Sequence, residues 1–163
     1  MIIITTQCFF PKIGGIESLM TGMADAMSNK EEVVVLADGK KTTLDNNHKY
    51  KIVRFNAWKP IRRIQKARYL KKLCEANTVK AIYADSWKSV ELLKNIKNQI
   101  LILAHGTEIP KKYIDDKTSF KKTIKKNRII KSFYKCTYII ANSNYTKELL
   151  IESLKINPKK IVI

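Results

Sequence analysis

Two kinds of apolar pattern alternate along the chain. Short, nearly continuous runs rich in β-branched residues occur at 2–6, 33–37, 52–55, 81–84, 100–104, 138–141 and 161–163. Continuous rather than alternating runs of this length suit strands buried on both faces. Between them lie segments of helical period. The clearest has Ile16, Leu19, Met20, Met23, Ala24 and Met27 on one side and Glu17, Ser18, Thr21, Asp25 and Ser28 on the other, which predicts an amphipathic helix with its methionines in the core. Further helices are expected within 60–76, 86–97, 118–135 and from about 146 to 154. Strands alternating with helices imply crossover connections, hence an α/β fold: a Rossmann-like open parallel sheet of about seven strands with helices on both faces.

Composition narrows this picture. A chain of 163 residues that is 45% hydrophobic is long enough for one domain with a substantial core. The cysteines, Cys8, Cys74 and Cys136, are odd in number and far apart, so they make neither a disulfide framework nor a CxxC metal site, and a reducing, cytoplasmic compartment is expected. No secretory leader pattern opens the chain, and no apolar run is long enough to span a bilayer. The acceptor-like triplet Asn144-Tyr145-Thr146 is then read as chance.

Charge adds a question about partners. The formal net charge is +18, from 32 Lys and Arg against 14 Asp and Glu, a field that attracts polyanions, phosphorylated small molecules or an anionic membrane surface. The stretch 59–72 holds seven basic residues and no acid, and 111–135 holds ten against Asp115 and Asp116. In the second stretch Phe120, Ile124, Ile130 and Tyr134 can share a helical face, with Ile129 and Phe133 off it. That helix would pack on the sheet and present a basic, partly apolar surface. Solvated lysines of a Lys-, Ile- and Asn-rich composition are the plainer alternative.

In an open parallel sheet, ligands bind beyond the carboxyl ends of the strands, and four short motifs fall there. Gly14-Gly15 follows the first strand through a loop and opens the first helix, where free N–H groups and the helix dipole favour an anion. A plain turn fits the same two residues, and the segment matches neither GxGxxG nor a Walker loop. Ala104-His105-Gly106-Thr107-Glu108 follows the fifth run; an imidazole there can hydrogen-bond a sugar hydroxyl or stabilise developing charge, or be structural. His48, in a polar loop, has no such setting. Ala141 to Thr146 reads ANSNYT, whose Ser, Asn and Thr suit a helix N-cap as well as a cleft. Asp85-Ser86-Trp87 after the fourth run is equally two-sided.

Together and in order, PKIGGIE, ADSW, AHGTE and ANSNYTKELL leading to INPKKIVI resemble the N-terminal domain of retaining, GT-B-fold glycosyltransferases of family 4, over essentially the entire chain. The resemblance implies transfer of a hexosyl group from a nucleotide-sugar donor to a glycan or lipid-linked acceptor, with retention and without an essential metal or other cofactor. It assigns Gly14 and Gly15 to the donor diphosphate, His105 to the reaction centre, and Glu17, Asp85, Ser86, Glu108 and Ser143 to the acceptor side or cleft lining. Such enzymes carry a second, donor-binding domain after a strand like KIVI. Residues 1–163 are therefore expected to form one acceptor-side domain that needs this partner in cis or in trans and is inactive alone. The basic stretches suggest an acceptor at the cytoplasmic leaflet. The rival from another class is a basic module for nucleic acid or anionic surfaces, though no RRM, KH or zinc-finger pattern supports it. A receiver or flavodoxin-like domain would need an acidic cluster or flavin loop, and neither is present.

Overall fold

The computed structural model describes residues 1–110 and 120–163. Seven strands, β1 (Ile2–Thr6), β2 (Val33–Asp38), β3 (Lys51–Phe55), β4 (Ala81–Ala84), β5 (Gln99–Ala104), β6 (Tyr138–Ala141) and β7 (Ile161–Val162), form one parallel sheet in the order β3-β2-β1-β4-β5-β6-β7. Ile4 pairs with Val35 on one side and Tyr83 on the other. The helices are α1 (Gly15–Ser28), α2 (Lys59–Ala76), α3 (Trp87–Val90), α4 (Phe120–Tyr134) and α5 (Asn144–Leu154). The α/β, Rossmann-like arrangement expected from the alternating runs is the one observed.

Side chains of neighbouring strand residues point to opposite faces, and the core divides accordingly. Ile4, Val33, Val35 and Ala37 pack with Met20 and Ala24 of α1. Ile3, Leu36, Ile82, Ile102 and Ile139 pack on the other face with Leu70 of α2, Trp87 and Val90 of α3, Ile129 and Phe133 of α4, and Leu150 and Leu154 of α5. Each fully buried side chain of this size contributes roughly 1.5–3 kcal/mol relative to exposure.

Three elements add detail that the sequence reading left open. The third helix, expected within 86–97, occupies only the four residues Trp87–Val90. Asn95 takes a left-handed conformation at φ 56, which asparagine tolerates and a continuing helix does not, and Leu93 reaches the core without helical geometry. In α4 the buried residues are Ile129, Ser132 and Phe133. Of the four residues expected to share a helical face, Phe120, Ile124 and Tyr134 are exposed and Ile130 is half-buried against the core. The core takes the i, i+4 pair Ile129 and Phe133, and Ser132 joins them by donating its hydroxyl to Arg128 O at 2.8 Å. Residues 111–119, part of the second basic stretch and the expected start of this helix, lie outside the described residues. Finally, α2 turns three of its cations inward, as described below. No helix among the described residues is long and apolar enough to cross a membrane.

Candidate active site

Chain order runs one way from β1 to β2 and the other from β4 onward, so β1 and β4 are neighbours where the winding reverses. A crevice opens at the carboxyl ends of such a pair. Asp85, immediately after β4, closes its floor and is 2% exposed. Its Oδ2 accepts from Gln7 N–H at 2.7 Å and lies 2.9 Å from the Thr6 hydroxyl. Its Oδ1 accepts from the hydroxyls of Ser89 at 2.6 Å and Ser86 at 3.1 Å. A buried carboxylate needs this many donors to offset its lost hydration. Both Asp85 oxygens are therefore engaged by the protein itself, clasping β1 to β4, while Ser86 completes the clasp by accepting from Gln7 Nε2 at 3.3 Å.

Gly14 is the N-cap of α1 and carries no capping side chain. The Glu17 carboxyl group lies directly over it, where a Cβ at residue 14 would collide, whereas Gly15 faces open space. A carboxylate folded back over the first turn complements the positive end of the helix. Burial above all, and then the charges of Glu17 and Asp85, push the Cys8 thiol up to about 11. Cys8 thus stands near both acids at the crevice, a placement that no spacing in the sequence announces.

His105 follows β5. Its Nε2 lies 3.0 Å from the backbone oxygen of Asp85. A carbonyl only accepts, so Nε2 carries the proton and donates. The orienting bond thus comes from the residue that clasps the switch point. Glu108 closes the 3-10 turn Gly106–Glu108 over the His105 N–H, with Oε1 at 3.5 Å. Burial is the main force that pushes its carboxyl up to about 7, assisted by the charge of Asp85. The His105 N–H, Lys88 and Lys125 pull the other way.

Gly106 explains why AHG and ANSNYT occur together. A Cβ there would come within 2.9 Å of Thr146 Oγ1, so only glycine lets the β5 turn approach the start of α5 this closely. Thr146 is buried and donates to Asn142 Oδ1 at 2.6 Å. Ser143 caps α5 by accepting from Thr146 N–H at 3.2 Å, and its own proton goes to Thr146 Oγ1 at 3.1 Å. Of its two readings, the cap is the one that the hydrogen bonds fill.

Two further groups stand at this edge without a sequence signal. Lys66, 3% exposed on α2, donates to Thr6 O at 2.7 Å and to Asp38 Oδ1 at 2.8 Å, and Arg62 lies 2.9 Å from Asp38 Oδ2. Beside α1, a cleft of about 290 Å³ is bounded by Phe10 and Lys12 on the loop and by Glu17, Ser18, Thr21 and Asp25 on the helix. His48 stands near its far end, 3.6 Å from Asp25 Oδ1, stacked on Tyr50 at 4.9 Å and edge-on to Phe10 at 5.2 Å. Among the described residues no group of three or more His, Cys, Asp or Glu is placed to hold a metal ion.

The sequence model for "Glycosyltransferase Family 4" matches residues 13–163. The chain belongs to glycosyltransferase family 4. Solved structures of similar fold include HepE from Anabaena in complex with UDP, at 15% identity and TM-score 0.66, covering 99% of this chain and 42% of that one. The lipopolysaccharide outer core galactosyltransferase WaaB is 12% identical with TM-score 0.61, covering 100% of this chain and 45% of that one. A glycosyltransferase from Rickettsia africae is 19% identical with TM-score 0.60, covering 99% and 41%. This family 4 chain thus spans less than half the length of these solved relatives. Among curated proteins no sequence matches it.

Proposed function

We propose that this family 4 domain forms the acceptor side of a retaining transferase that moves a hexosyl group from a nucleotide-sugar to a glycan or lipid-linked acceptor at the cytoplasmic leaflet. The observation that carries the reading is His105: its ring stands at the end of β5 and is fixed through Nε2 by the crevice floor. A preorganised donor or acceptor at a strand end suits a reaction in which charge develops at the transferred sugar. The N-terminus of α1, with open space at Gly15, suits the leaving diphosphate. HepE, a protein of the same fold, was solved with UDP and glucose, which supports a nucleotide-sugar donor. The cleft along α1, edged by carboxylates, hydroxyls and Phe10, has the chemistry that binds sugar hydroxyls and ring faces, and we assign the acceptor to it. The relatives' greater length supports a second domain, in cis or in trans, that completes the nucleotide site.

The test is sugar transfer from a nucleotide donor, assayed with the chain alone and with its second domain supplied. The chain alone is expected to be inactive; robust transfer by it would remove the two-domain requirement. In the complete system His105→Ala should lower kcat by roughly 10²–10³-fold with little change in donor KM. Undiminished turnover would remove His105 from the reaction centre. The rival basic module draws on the net charge, but Arg62, Arg63 and Lys66 are paired inside the fold, which takes three cations from its first stretch.

A further inference from the structure

Helix α2 is built inside out. Its inward side carries Lys66, held by Asp38 and Thr6 O, together with Arg62 on Asp38 and Arg63 on Glu91. Its outward side carries Ile61 and Ile64, preceded at the N-cap by Trp58, at 48%, 43% and 75% exposure. Isolated apolar residues on a surface are ordinary. Here three fall on one side of the first turns of α2 and its N-cap, where Arg62, Arg63 and Lys66 turn inward.

The surroundings say what this face meets. Arg68, Lys71 and Lys72 lie on the same outward side of α2, whose stretch 59–72 contains no acid. Arg68 and Lys72 also edge a bay of about 560 Å³, shared with Asn56, Gln65 and Tyr69 and lined by no carboxylate. Helix α4 covers the same face of the sheet and is tied to α2 through Glu91, whose carboxylate takes both Arg63 and Arg128. It shows exposed Phe120 and Ile124 among Lys121, Lys122, Lys125 and Lys126, and contains no acid. Cations attract any polyanion, but exposed Trp and Ile between them gain nothing from a nucleic-acid phosphate. A bilayer interface takes both: indole and aliphatic groups enter the headgroup region while Lys and Arg meet anionic lipid.

We propose that the outer face of α2, continued by the first turns of α4, docks on an anionic phospholipid bilayer. Trp58, Ile61 and Ile64 enter the interface, and Arg68 and Lys72 hold lipid phosphate at the bay. This surface builds on the lipid-linked acceptor of the reading above, yet vesicles free of acceptor and donor test it separately from sugar transfer.

The experiment is co-sedimentation of the 163-residue chain with phosphatidylcholine vesicles with and without phosphatidylglycerol, alongside tryptophan emission. Binding should need phosphatidylglycerol and weaken with salt. A vesicle-dependent blue shift should be present in the wild type and absent in Trp58→Phe, because Trp87, the other tryptophan, is 3% exposed. The partition constant should fall roughly tenfold or more in Ile61→Ser/Ile64→Ser and roughly thirtyfold in Arg68→Ser/Lys72→Ser. Ile13→Ser, which removes a residue exposed at 98% on another loop, should bind as the wild type does, and circular dichroism would establish that every variant is folded. Equal partition into neutral vesicles, unchanged binding by both double variants, or salt-sensitive binding to nucleic acid without vesicle binding would overturn the proposal. So would a concentration-dependent dimer abolished by Ile61→Ser/Ile64→Ser, which would make the face a contact between copies.

Discussion

Helices α1 and α2 pack on the same strands from opposite faces and follow opposite rules. In α1, Met20 and Ala24 enter the core, while Glu17, Ser18, Thr21 and Asp25 edge a cleft. In α2, Leu70 enters the core beside a buried lysine, and two isoleucines face out. The difference lies in what each helix crosses. The first turns of α2 pass the carboxyl ends of β1 and β2, where Thr6 O and Asp38 require donors, and an unsatisfied buried acceptor or unpaired carboxylate costs more than a displaced isoleucine. Hydrophobic periodicity therefore reports packing faithfully along a strand's flank and fails near its carboxyl end.

The largest expected effect sharpens that contrast. Lys66→Ala strands Thr6 O and leaves Asp38 with Arg62 alone, and should destabilise by about 3–5 kcal/mol in urea unfolding. A loss under about 1 kcal/mol would mean that the inward cations are incidental. Met20→Ala, the corresponding truncation in α1, should cost about 2–4 kcal/mol, through lost burial and cavity alone. It should be insensitive to pH and salt.

Glu108 tests the case of a buried acid without a close cationic partner. Its carboxyl lies above its ordinary 4.5, at about 7, so folding favours the protonated form. Below about 4.5 both states are protonated and the stability it allows is fully present; that stability is lost as pH rises through about 7. Glu108→Gln should match the wild type at pH 4 and exceed it by about 1–3 kcal/mol at pH 8, discounted for partial exposure. Equal stabilities at both pH values would place Glu108 in water. The smallest effect belongs to Ile61→Ser/Ile64→Ser, expected within about 0.5 kcal/mol of wild-type stability. A loss of 2 kcal/mol or more in calorimetry would show that these residues support the fold and would break the contrast between the helices.

The strands were legible because residues buried on both faces leave continuous apolar runs, and α1 because its buried and exposed sides differ in chemistry. The four motifs at strand ends did converge on one edge of the sheet. Their division of labour was not legible. Asp85 meets Thr6 across 79 positions of sequence, and Lys66 meets Thr6 O across 60, so neither clasp leaves a local pattern. Ser143 carried two readings because capping a helix and lining a cleft require the same hydroxyl. Which side of α4 meets the sheet was not legible, because Phe120, Ile124, Ile130 and Tyr134 make as regular a stripe as Ile129 and Phe133, and only the position of the sheet distinguishes them.

The contact between Gly106 and Thr146 has a consequence for descent. A methyl group at position 106 and the hydroxyl of position 146 claim the same space, so neither site is free to drift while the other stays fixed. In a lineage of this domain, alanine at 106 should arrive only together with a change at 146 or a shifted start of α5. The two strand-end motifs would then be inherited as one unit, although 40 residues of chain separate them.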